Sequence, residues 1–182
     1  MRHPEEFYRF YRDKMLALDA KPNAAHKKLS ELEAAGKLTG VVTQNIDGLH
    51  QAAGSKNVFE LHGSVHRNYC QKCGKFFDVN YVVNAKGVPY CDECGGIIKP
   101  DVVLYEEGLD SQTINGAVRA ISKADMLIIG GTSLVVYPAA GMIDYFKGKY
   151  LAVLNRDATS RDKQADLCIT DPIGEVLGRI RV

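Results

Sequence analysis

Short apolar runs alternate with amphipathic stretches along this 182-residue chain. The stretches PEEFYRFYRDKMLAL and PNAAHKKLSELEAAGK carry apolar residues at helical spacing, and each begins with a proline, which suits a first helical turn. Four runs rich in β-branched residues, LTGVVTQ, MLIIGG, YLAVLN and DLCIT, suit strands of a parallel sheet that is covered on both faces. Helical stretches such as SQTINGAVRAISKA and PAAGMIDYF separate them. The pattern therefore predicts an α/β fold.

Composition is that of a soluble globular protein. The chain is 46% hydrophobic and 25% charged, and its formal net charge is +1. This balance gives no general electrostatic argument for a nucleic-acid or anionic-membrane partner. No apolar run approaches the roughly 20 residues that a membrane helix needs, and the N-terminus is too charged for a secretory signal. Cytoplasm is therefore the expected location.

Four of the five cysteines form two pairs, CQKC and CDEC, with 17 residues between them. Two residues between thiolates let one tight turn present both sulfurs to a single ion, and two such turns complete a tetrahedral site. Zinc is the predicted metal and iron its main competitor, whereas disulfides fit poorly with a chain that lacks an export signal. The predicted ligands are Cys70, Cys73, Cys91 and Cys94.

The zinc site predicts a small module between about Gly63 and Lys99, inserted into a sheet of the dinucleotide-binding type. The fifth cysteine, Cys168, is interpreted as a small buried apolar residue. His66 lies near the first pair and is interpreted as a surface or hydrogen-bonding histidine, because four thiolates already complete a structural site.

Small and polar residues follow several of the predicted strands. Such residues at the carboxyl ends of parallel strands can line a ligand crevice, where hydroxyls and amides bind a ribose and glycines admit a phosphate. Each segment alone also suits an ordinary turn or a capped loop. Together they predict a nucleotide site. Its candidate residues are Gly130, Gly131, Thr132, Ser133 and Asn155 after two later runs. Gln44, Asn45, Asp47 and His50 after the first run suit either a ligand crevice or a solvated turn.

His62 lies between a strand-like segment, NVFELH, and the zinc module. Two interpretations are open for a histidine at this position. It is either a core residue whose ring is satisfied by hydrogen bonds, or a general base, since imidazoles change charge near neutral pH.

The motifs of this chain, taken in order, resemble those of the sirtuins, the NAD-dependent protein-lysine deacylases. They are TQNIDGLHQAAG, ELHGS, the two Cys pairs, KPDVVLYEE, GGTSLVVYPAA, LAVLN and ADLCITDPIGEVL. The resemblance covers nearly the whole chain and implies a Rossmann-like NAD-binding domain, here residues 1–62 and 100–182. It also implies a small zinc-binding domain at 63–99, with NAD held in the cleft between the two domains.

The resemblance also implies a reaction and a set of site residues. The acyl oxygen of an acyl-lysine protein or peptide attacks the nicotinamide ribose, nicotinamide leaves, and the acyl group ends on ADP-ribose. His62 is the implied base, with Asn45 and Asp47 as further catalytic residues. The implied NAD-binding residues are Gln44, Asn45, Asp47, Gly131, Thr132, Ser133, Asn155 and Cys168, and the implied substrate-binding residues are Val102 and Val103.

The chain departs from the family pattern in two places. The family usually has Phe-Gly-Glu after the paired valines, where this chain has Tyr105, Glu106 and Glu107. The family also begins with a strand that leads into a Gly-Ala-Gly loop, which this sequence lacks. We therefore expect an N-terminally truncated chain that lacks the first strand of its sheet, has little activity alone, and self-associates through exposed sheet edges.

Two alternative functions remain open at this stage. One is a non-catalytic remnant that binds NAD, ADP-ribose or a partner protein. The other is a zinc-ribbon module that binds nucleic acid, which is less favoured because the segment between the Cys pairs has few basic residues for phosphates. Neither a nucleic acid nor a membrane is an expected partner.

Overall fold

A computed structural model describes residues 3–182 of the chain, which form two compact units. Unit 1 contains the residues up to Ala20, Asn45–Gly48 and His62–Gly108, and unit 2 contains Lys21–Gln44, Leu49–Leu61 and Leu109–Val182. The domain boundaries given above, 1–62 with 100–182 and 63–99, stay a prediction. Residues 1 and 2 of that division lie outside the described part of the chain.

The chain contains short strands and helices in alternation. The strands are β1 (Val41–Thr43), β2 (Val58–Glu60), β3 (Gly63–Cys70), β4 (Phe76–Phe77), β5 (Ile98–Val102), β6 (Met126–Gly130), β7 (Tyr150–Leu154) and β8 (Leu167–Ile169). The α-helices are α1 (Pro4–Phe10), α2 (Ala24–Ala34), α3 (Leu49–Ala52), α4 (Val79–Asn84), α5 (Ser111–Lys123) and α6 (Ile173–Gly178). A π-helical turn, Tyr11–Met15, follows α1, and a 3₁₀ helix, Ala139–Tyr145, replaces the α-helix expected from PAAGMIDYF.

Unit 2 contains the parallel strands that the apolar runs predict. Strand β1 pairs in parallel with β2, and β6, β7 and β8 form a second parallel sheet in that order. Strand β7 is central and buried from Leu151 to Leu154, and the apolar side chains of α2 and α6 pack beside it. Helix α5 covers Leu61 and the β2 side chain of Phe59. The prediction of an α/β fold with parallel strands is confirmed. Coverage differs among the strands, because β7 is buried and β8 is mostly exposed.

Unit 1 is built on an antiparallel sheet with the order β4–β3–β5. Its core contains the side chains of Val65, Val82, Ile98 and Val102, and the first helical segment packs its tyrosines against this group. Strand β5 is an edge strand of this sheet, because its pairing within the described residues is with β3 alone.

The apolar face of the first helical segment differs from the predicted one. Phe10, Tyr11 and Leu18 are among the apolar residues at helical spacing in this segment. Tyr11 is completely buried, as the pattern indicates, but Phe10 and Leu18 are 57% and 41% exposed, and Tyr8, which lies outside the pattern, is completely buried. The hydroxyl of Tyr8 donates a hydrogen bond to the backbone oxygen of Ile98, which satisfies its polar end inside the core. The π-helical turn shifts the helical phase after Phe10, so the simple 3.6-residue pattern fails there.

None of the helices in residues 3–182 combines the length and the apolar character that crossing a membrane requires.

Candidate functional site

The carboxyl ends of β6 and β7 border a small cavity in unit 2. The backbone N–H of Gly131 donates to Leu154 O at 3.2 Å, which continues the parallel ladder past β6 and sets the two strand ends side by side. The cavity measures about 250 Å³, a volume that suits part of a dinucleotide. Its lining contains four residues predicted from the sequence and two that were missed. They are Gly131, Thr132, Ser133 and Asn155, and then Asp157 and Ala158.

Side-chain hydrogen bonds fix the two loops that line this cavity. The hydroxyl of Thr132 accepts from the backbone N–H of Leu134 at 3.2 Å, which holds the turn after β6. The amide of Asn155 donates to the backbone oxygen of Asp157 at 2.8 Å and closes the turn after β7. The missed residue Asp157 was signalled by the sequence LNRD, in which Asn and Asp after a strand favour such a turn.

Cys168 is exposed, and its interpretation as a buried apolar residue is wrong. The cause is the position of β8, which is the last strand in the β6–β7–β8 order and has exposed side chains at its first two residues. The Cys168 thiol lies 3.6 Å from the backbone oxygen of Asp162. An apolar-looking run therefore marks a sheet edge here, with a thiol on the surface.

The polar segment after β1 is a loop whose first residue belongs to unit 2 and whose next residues belong to unit 1. Gln44, in unit 2, donates from its amide to the hydroxyl of Thr132 at 3.5 Å and so joins the ends of β1 and β6. Asn45 and Asp47 belong to unit 1. The ring of His66 lies 3.0 Å from the backbone oxygen of Asp47, and His66 is exposed, which confirms its interpretation as a surface, hydrogen-bonding histidine.

His62 lies in the turn between β2 and β3 and is half-buried. Its backbone oxygen accepts from the N–H of Val103 at 3.0 Å, so the predicted base and the predicted peptide-binding valine are held together in unit 1. Gly63 permits this contact: its φ is 76°, and an added Cβ would overlap the Asp101 backbone oxygen. A residue other than glycine at position 63 would therefore separate β3 from β5.

The segment after β5 forms a tight turn that an ion pair holds in place. The N–H of Glu107 donates to Leu104 O, and the Glu107 carboxylate accepts from the Leu104 N–H, both at 3.0 Å. Lys99 reaches the same carboxylate at 3.0 Å and also donates to the backbone oxygen of Val102 at 3.0 Å. Glu106 has a φ of 72°, in the left-handed region, which costs a non-glycine residue about 1 kcal/mol or more.

We expect acid to loosen this turn. Burial opposes ionisation of Glu107, but hydrogen bonds from the Leu104 N–H and from Lys99 outweigh it and hold the pKa of Glu107 below its ordinary value of 4.5. Because the folded pKa is the lower one, the stabilisation is complete above the ordinary value and is lost as the pH falls through the folded value. An NMR titration of the Glu107 carboxyl carbon measures its pKa, and the chemical shift of the Leu104 amide over the same pH range reports whether the turn opens.

Substitution of Lys99 provides the control for that titration. Lys99→Met should raise the pKa of Glu107 toward its ordinary value, whereas Lys86→Met, which removes an exposed lysine elsewhere in unit 1, should leave it unchanged. A Glu107 titration at or above the ordinary value, unaffected by Lys99→Met, would contradict this account of the turn.

The four paired cysteines come together at one point in unit 1. Their Sγ atoms all lie within 4.8 Å of one another, with Cys70 to Cys94 at 3.3 Å and Cys73 to Cys91 at 3.7 Å. A tetrahedral zinc with Zn–S bonds of about 2.3 Å needs sulfurs about 3.8 Å apart. The donor set therefore fits one tetrahedral zinc ion.

The two cysteine turns have the same backbone hydrogen bonds. Gly74 N–H donates to Cys70 O at 2.9 Å, and Gly95 N–H donates to Cys91 O at 3.0 Å. The fit is tight, because a Cβ on Gly96 would lie 2.8 Å from the Cys70 sulfur. This repeated geometry is that of two metal-binding turns that face one ion.

The ionisation of these thiols also fits a cation. Burial raises the pKa of Cys70, but the backbone N–H groups of Cys73 and Lys72 outweigh it and lower that pKa to about 6. The amide of Lys75 lowers the pKa of Cys73, yet the Cys94 thiol, burial and the remaining thiols raise it to about 12. Four thiolates at this distance therefore need a bound cation to offset their repulsion.

Lys75, which follows the first cysteine turn, forms ion pairs with two acidic residues of the second turn. Its ammonium group lies 2.8 Å from Asp92 and 2.8 Å from Glu93, both in the second turn, and it lies over the ring of Phe77. The hydrogen bonds to Asp92 and Glu93 raise the pKa of Lys75. The residue was missed from the sequence, since nothing local in CGK indicates a partner 17 residues further along the chain.

The fold and the site together define a class of protein. One unit is a parallel α/β sheet with polar strand ends beside a small cavity, and the other holds four cysteines that fit one metal ion, so the class is an α/β protein with a four-cysteine metal-binding unit. The model of the Sir2 family matches residues 1–138 of the chain. The chain belongs to the Sir2 family, the sirtuins, and the resemblance identified from its motifs is confirmed.

Curated relatives cover nearly the whole chain. The chain is 64% identical over 176 residues to a protein of Clostridium acetobutylicum named NAD-dependent protein deacetylase, covering 96% of this chain and 72% of that one. A protein of Clostridium perfringens with the same name is 62% identical over 180 residues, with 98% and 74% covered.

Solved structures have the same fold. A complex of Sir2 with a p53 peptide and NAD⁺ superposes with a TM-score of 0.91 at 41% identity, covering 98% of this chain and 77% of that one. A complex with an inhibitor, 2′-O-acetyl-ADP-ribose and a deacetylated p53 peptide has a TM-score of 0.91 at 42% identity, with 98% and 79% covered.

Proposed function

We propose that this protein is an NAD-dependent protein deacetylase that acts on acyl-lysine side chains of proteins or peptides and transfers the acyl group to ADP-ribose. The observation that carries the proposal is the 64% identity, along 96% of the chain, to a protein named for this activity. The Sir2 structures with NAD⁺, with acetyl-ADP-ribose and with an acetylated peptide support the same substrates. No feature favours the non-catalytic alternative or the nucleic-acid module.

NAD when bound supplies an activated ribose, which departs from nicotinamide and accepts the acyl oxygen. For the adenosine half of NAD we assign the residues at the ends of β6 and β7, together with the exposed edge at Cys168. Thr132 and Ser133 offer hydroxyls, and Asn155 offers an amide beside the cavity. Gly131 has no Cβ, so a phosphate or sugar can approach its backbone closely.

For the nicotinamide-ribose side of NAD we assign the loop after β1. Gln44, Asn45 and Asp47 lie within four positions of one another and follow directly on a strand end, so their amides and carboxylate can orient a ribose and a carboxamide. The anchoring of this loop supports the assignment. The hydrogen bond from Gln44 to Thr132 and the contact of His66 with the Asp47 backbone hold the loop before any ligand arrives.

We propose that His62 is the general base. In this role it accepts a proton from a ribose hydroxyl, so that the hydroxyl oxygen can attack the acyl carbon. Its backbone bond to Val103 supports the role, because it ties the imidazole-bearing turn to the segment that we assign to substrate binding. The base and the acyl-lysine peptide would then be positioned by one element of unit 1.

Val102 and Val103 are our candidates for binding the peptide backbone. They lie at the end of an edge strand, and an extended peptide can add to such an edge through backbone hydrogen bonds. Zinc would be held by Cys70, Cys73, Cys91 and Cys94 and would be structural, since four thiolates leave no open position for water or substrate.

We propose the cytoplasm as the location of the protein. The five cysteines form no disulfide among the described residues, and four of them make up a metal-binding group of a kind that a reducing compartment preserves.

A deacetylation assay on the purified protein tests the proposed function. Acetyl-lysine peptide and purified protein are incubated with and without NAD, and both deacetylated peptide and released nicotinamide are quantified. We expect deacetylated peptide only when NAD is present, and we expect nicotinamide release to require the acetylated peptide. Deacetylation that proceeds equally well without NAD would contradict the proposal.

A further inference from the structure

The outer edge of β5 is the side of that strand that faces away from β3. Because Val103 N–H bonds to His62 O on the β3 side, and backbone groups alternate along a strand, the N–H and C=O of Val102 face outward. Val102 O also accepts from Lys99, and the backbone groups of Leu104 are bonded to Glu107. Among the described residues no further strand pairs with this side. An extended peptide that adds to β5 would meet this outer edge.

Charges along this edge neutralise one another, with one exception. Lys99 pairs with Glu107 at 3.0 Å, and its ammonium group also lies 3.0 Å from Val102 O. Asp101, also on β5, pairs with Arg67 of β3 at 2.8 Å. Glu106 is exposed and makes no ion pair within the part of the chain that the structure describes. The turn after β5 therefore carries two exposed carboxylates, of which Glu106 has no ion-pair partner among the described residues.

The turn also projects that charge into solvent. Leu104 and Glu107 close the turn with their mutual hydrogen bonds, so Tyr105 and Glu106 form its tip. Tyr105 is fully exposed, with a relative accessible surface area of 102%. An extended peptide advances about 3.3 Å per residue, so a tip three positions beyond Val103 is within reach of side chains that flank a residue bound at the valines.

We propose that Glu106 determines substrate specificity, by favouring acyl-lysine peptides that carry a lysine or arginine within about three residues of the modified lysine. The inference rests on the proposed function and on binding of the peptide at Val102 and Val103. It concerns the position where the Sir2 pattern has an uncharged glycine and this chain has a carboxylate. Attraction between exposed charges steers the partner and adds modestly to affinity.

Peptides of matched length test the inference. One acetyl-lysine peptide has lysine or arginine at its flanking positions, a second has glutamine, and a third has glutamate. We expect kcat/KM to fall in that order, by about two- to fivefold per step at low salt, mainly through KM. The difference should shrink as ionic strength rises, because exposed charges are screened.

Three variants identify the residue responsible. Glu106→Gln keeps the side-chain shape, and Glu106→Gly suits the left-handed backbone, so both should abolish the preference while the rate with the glutamine peptide is retained. Glu106→Lys should reverse the order. Glu6→Gln, which removes an exposed carboxylate on α1, is the matched control and should leave the preference unchanged.

Peptide binding, measured by fluorescence anisotropy with the same three sequences, gives an independent readout. Equal affinities for all three, or a preference that survives in Glu106→Gln, would overturn the inference even if turnover is normal. Charge-dependent binding without deacetylation of any peptide would support the inference and overturn the proposed function, so the two failures are distinguishable.

Discussion

Replacing Cys73 by serine is expected to release the zinc and unfold unit 1. Structural zinc contributes about 10–16 kcal/mol of apparent binding free energy in small zinc domains, which is comparable to or larger than the net stability of a whole domain. The four sulfurs lie within 4.8 Å of one another, so losing one thiolate leaves three that cannot complete the site. Elemental analysis and amide hydrogen exchange over residues 63–102 measure the two effects.

The surface thiol supplies the control for this substitution. Cys168→Ser should retain one zinc per chain and normal exchange protection, because Cys168 lies on β8 outside the metal site. The elemental analysis also distinguishes zinc from iron, the competing metal for four thiolates. Full zinc content in serine variants of all four predicted ligands would show that these cysteines do not hold the metal.

His62→Ala is expected to lower the rate of deacetylation by a factor of about 10² to 10⁴, the contribution of a well-placed general base. NAD affinity should change little, because the residues proposed to bind adenosine belong to unit 2 and the backbone of His62, which bonds Val103, is kept in alanine. Single-turnover kinetics and calorimetric titration with NAD separate the chemical step from binding.

His3→Ala is the matched control, since it removes an exposed imidazole from the start of α1. It should have normal kinetics. Normal turnover in His62→Ala would return His62 to the alternative interpretation, a histidine satisfied by hydrogen bonds. Loss of activity together with loss of folded structure would count against a purely chemical role and favour that structural one.

Features that depend on short sequence spacing were predictable. The metal site was predicted because CxxC turns bring their own sulfurs together, and two turns with matched hydrogen bonds need one ion between them. The parallel strands were predicted from apolar runs with β-branched residues, and β7 shows why: it is buried almost throughout. The polar residues after β1 and β6 followed from the same logic, since strand ends diverge into loops.

Features that depend on residues distant in sequence were not predictable. The burial of Tyr8 requires a hydrogen bond to Ile98, which is 90 positions away. The exposure of Cys168 follows from the place of β8 at a sheet edge, and strand order cannot be derived from the strand's own residues. The Lys75 bridge between the cysteine turns likewise appears only once the turns face each other.

Glu106, which stands where the family pattern has glycine, was predictable only in part. The sequence marks Tyr105, Glu106 and Glu107 as a departure from the Sir2 pattern, but not its consequence. The structure shows that Glu106 has a left-handed φ of 72°, which suits glycine, and that Glu107 and Lys99 hold the turn. Glu106 therefore places a carboxylate at the tip of the turn.

The stoichiometry of the reaction tests the central claim most directly. The purified protein is incubated with NAD and an acetyl-lysine peptide, and mass spectrometry quantifies deacetylated peptide, nicotinamide and O-acetyl-ADP-ribose. If the protein is an NAD-dependent deacetylase, each deacetylated lysine is accompanied by one nicotinamide and one O-acetyl-ADP-ribose. Release of free acetate while NAD stays intact would contradict the account, because lysine would then be deacetylated by simple hydrolysis.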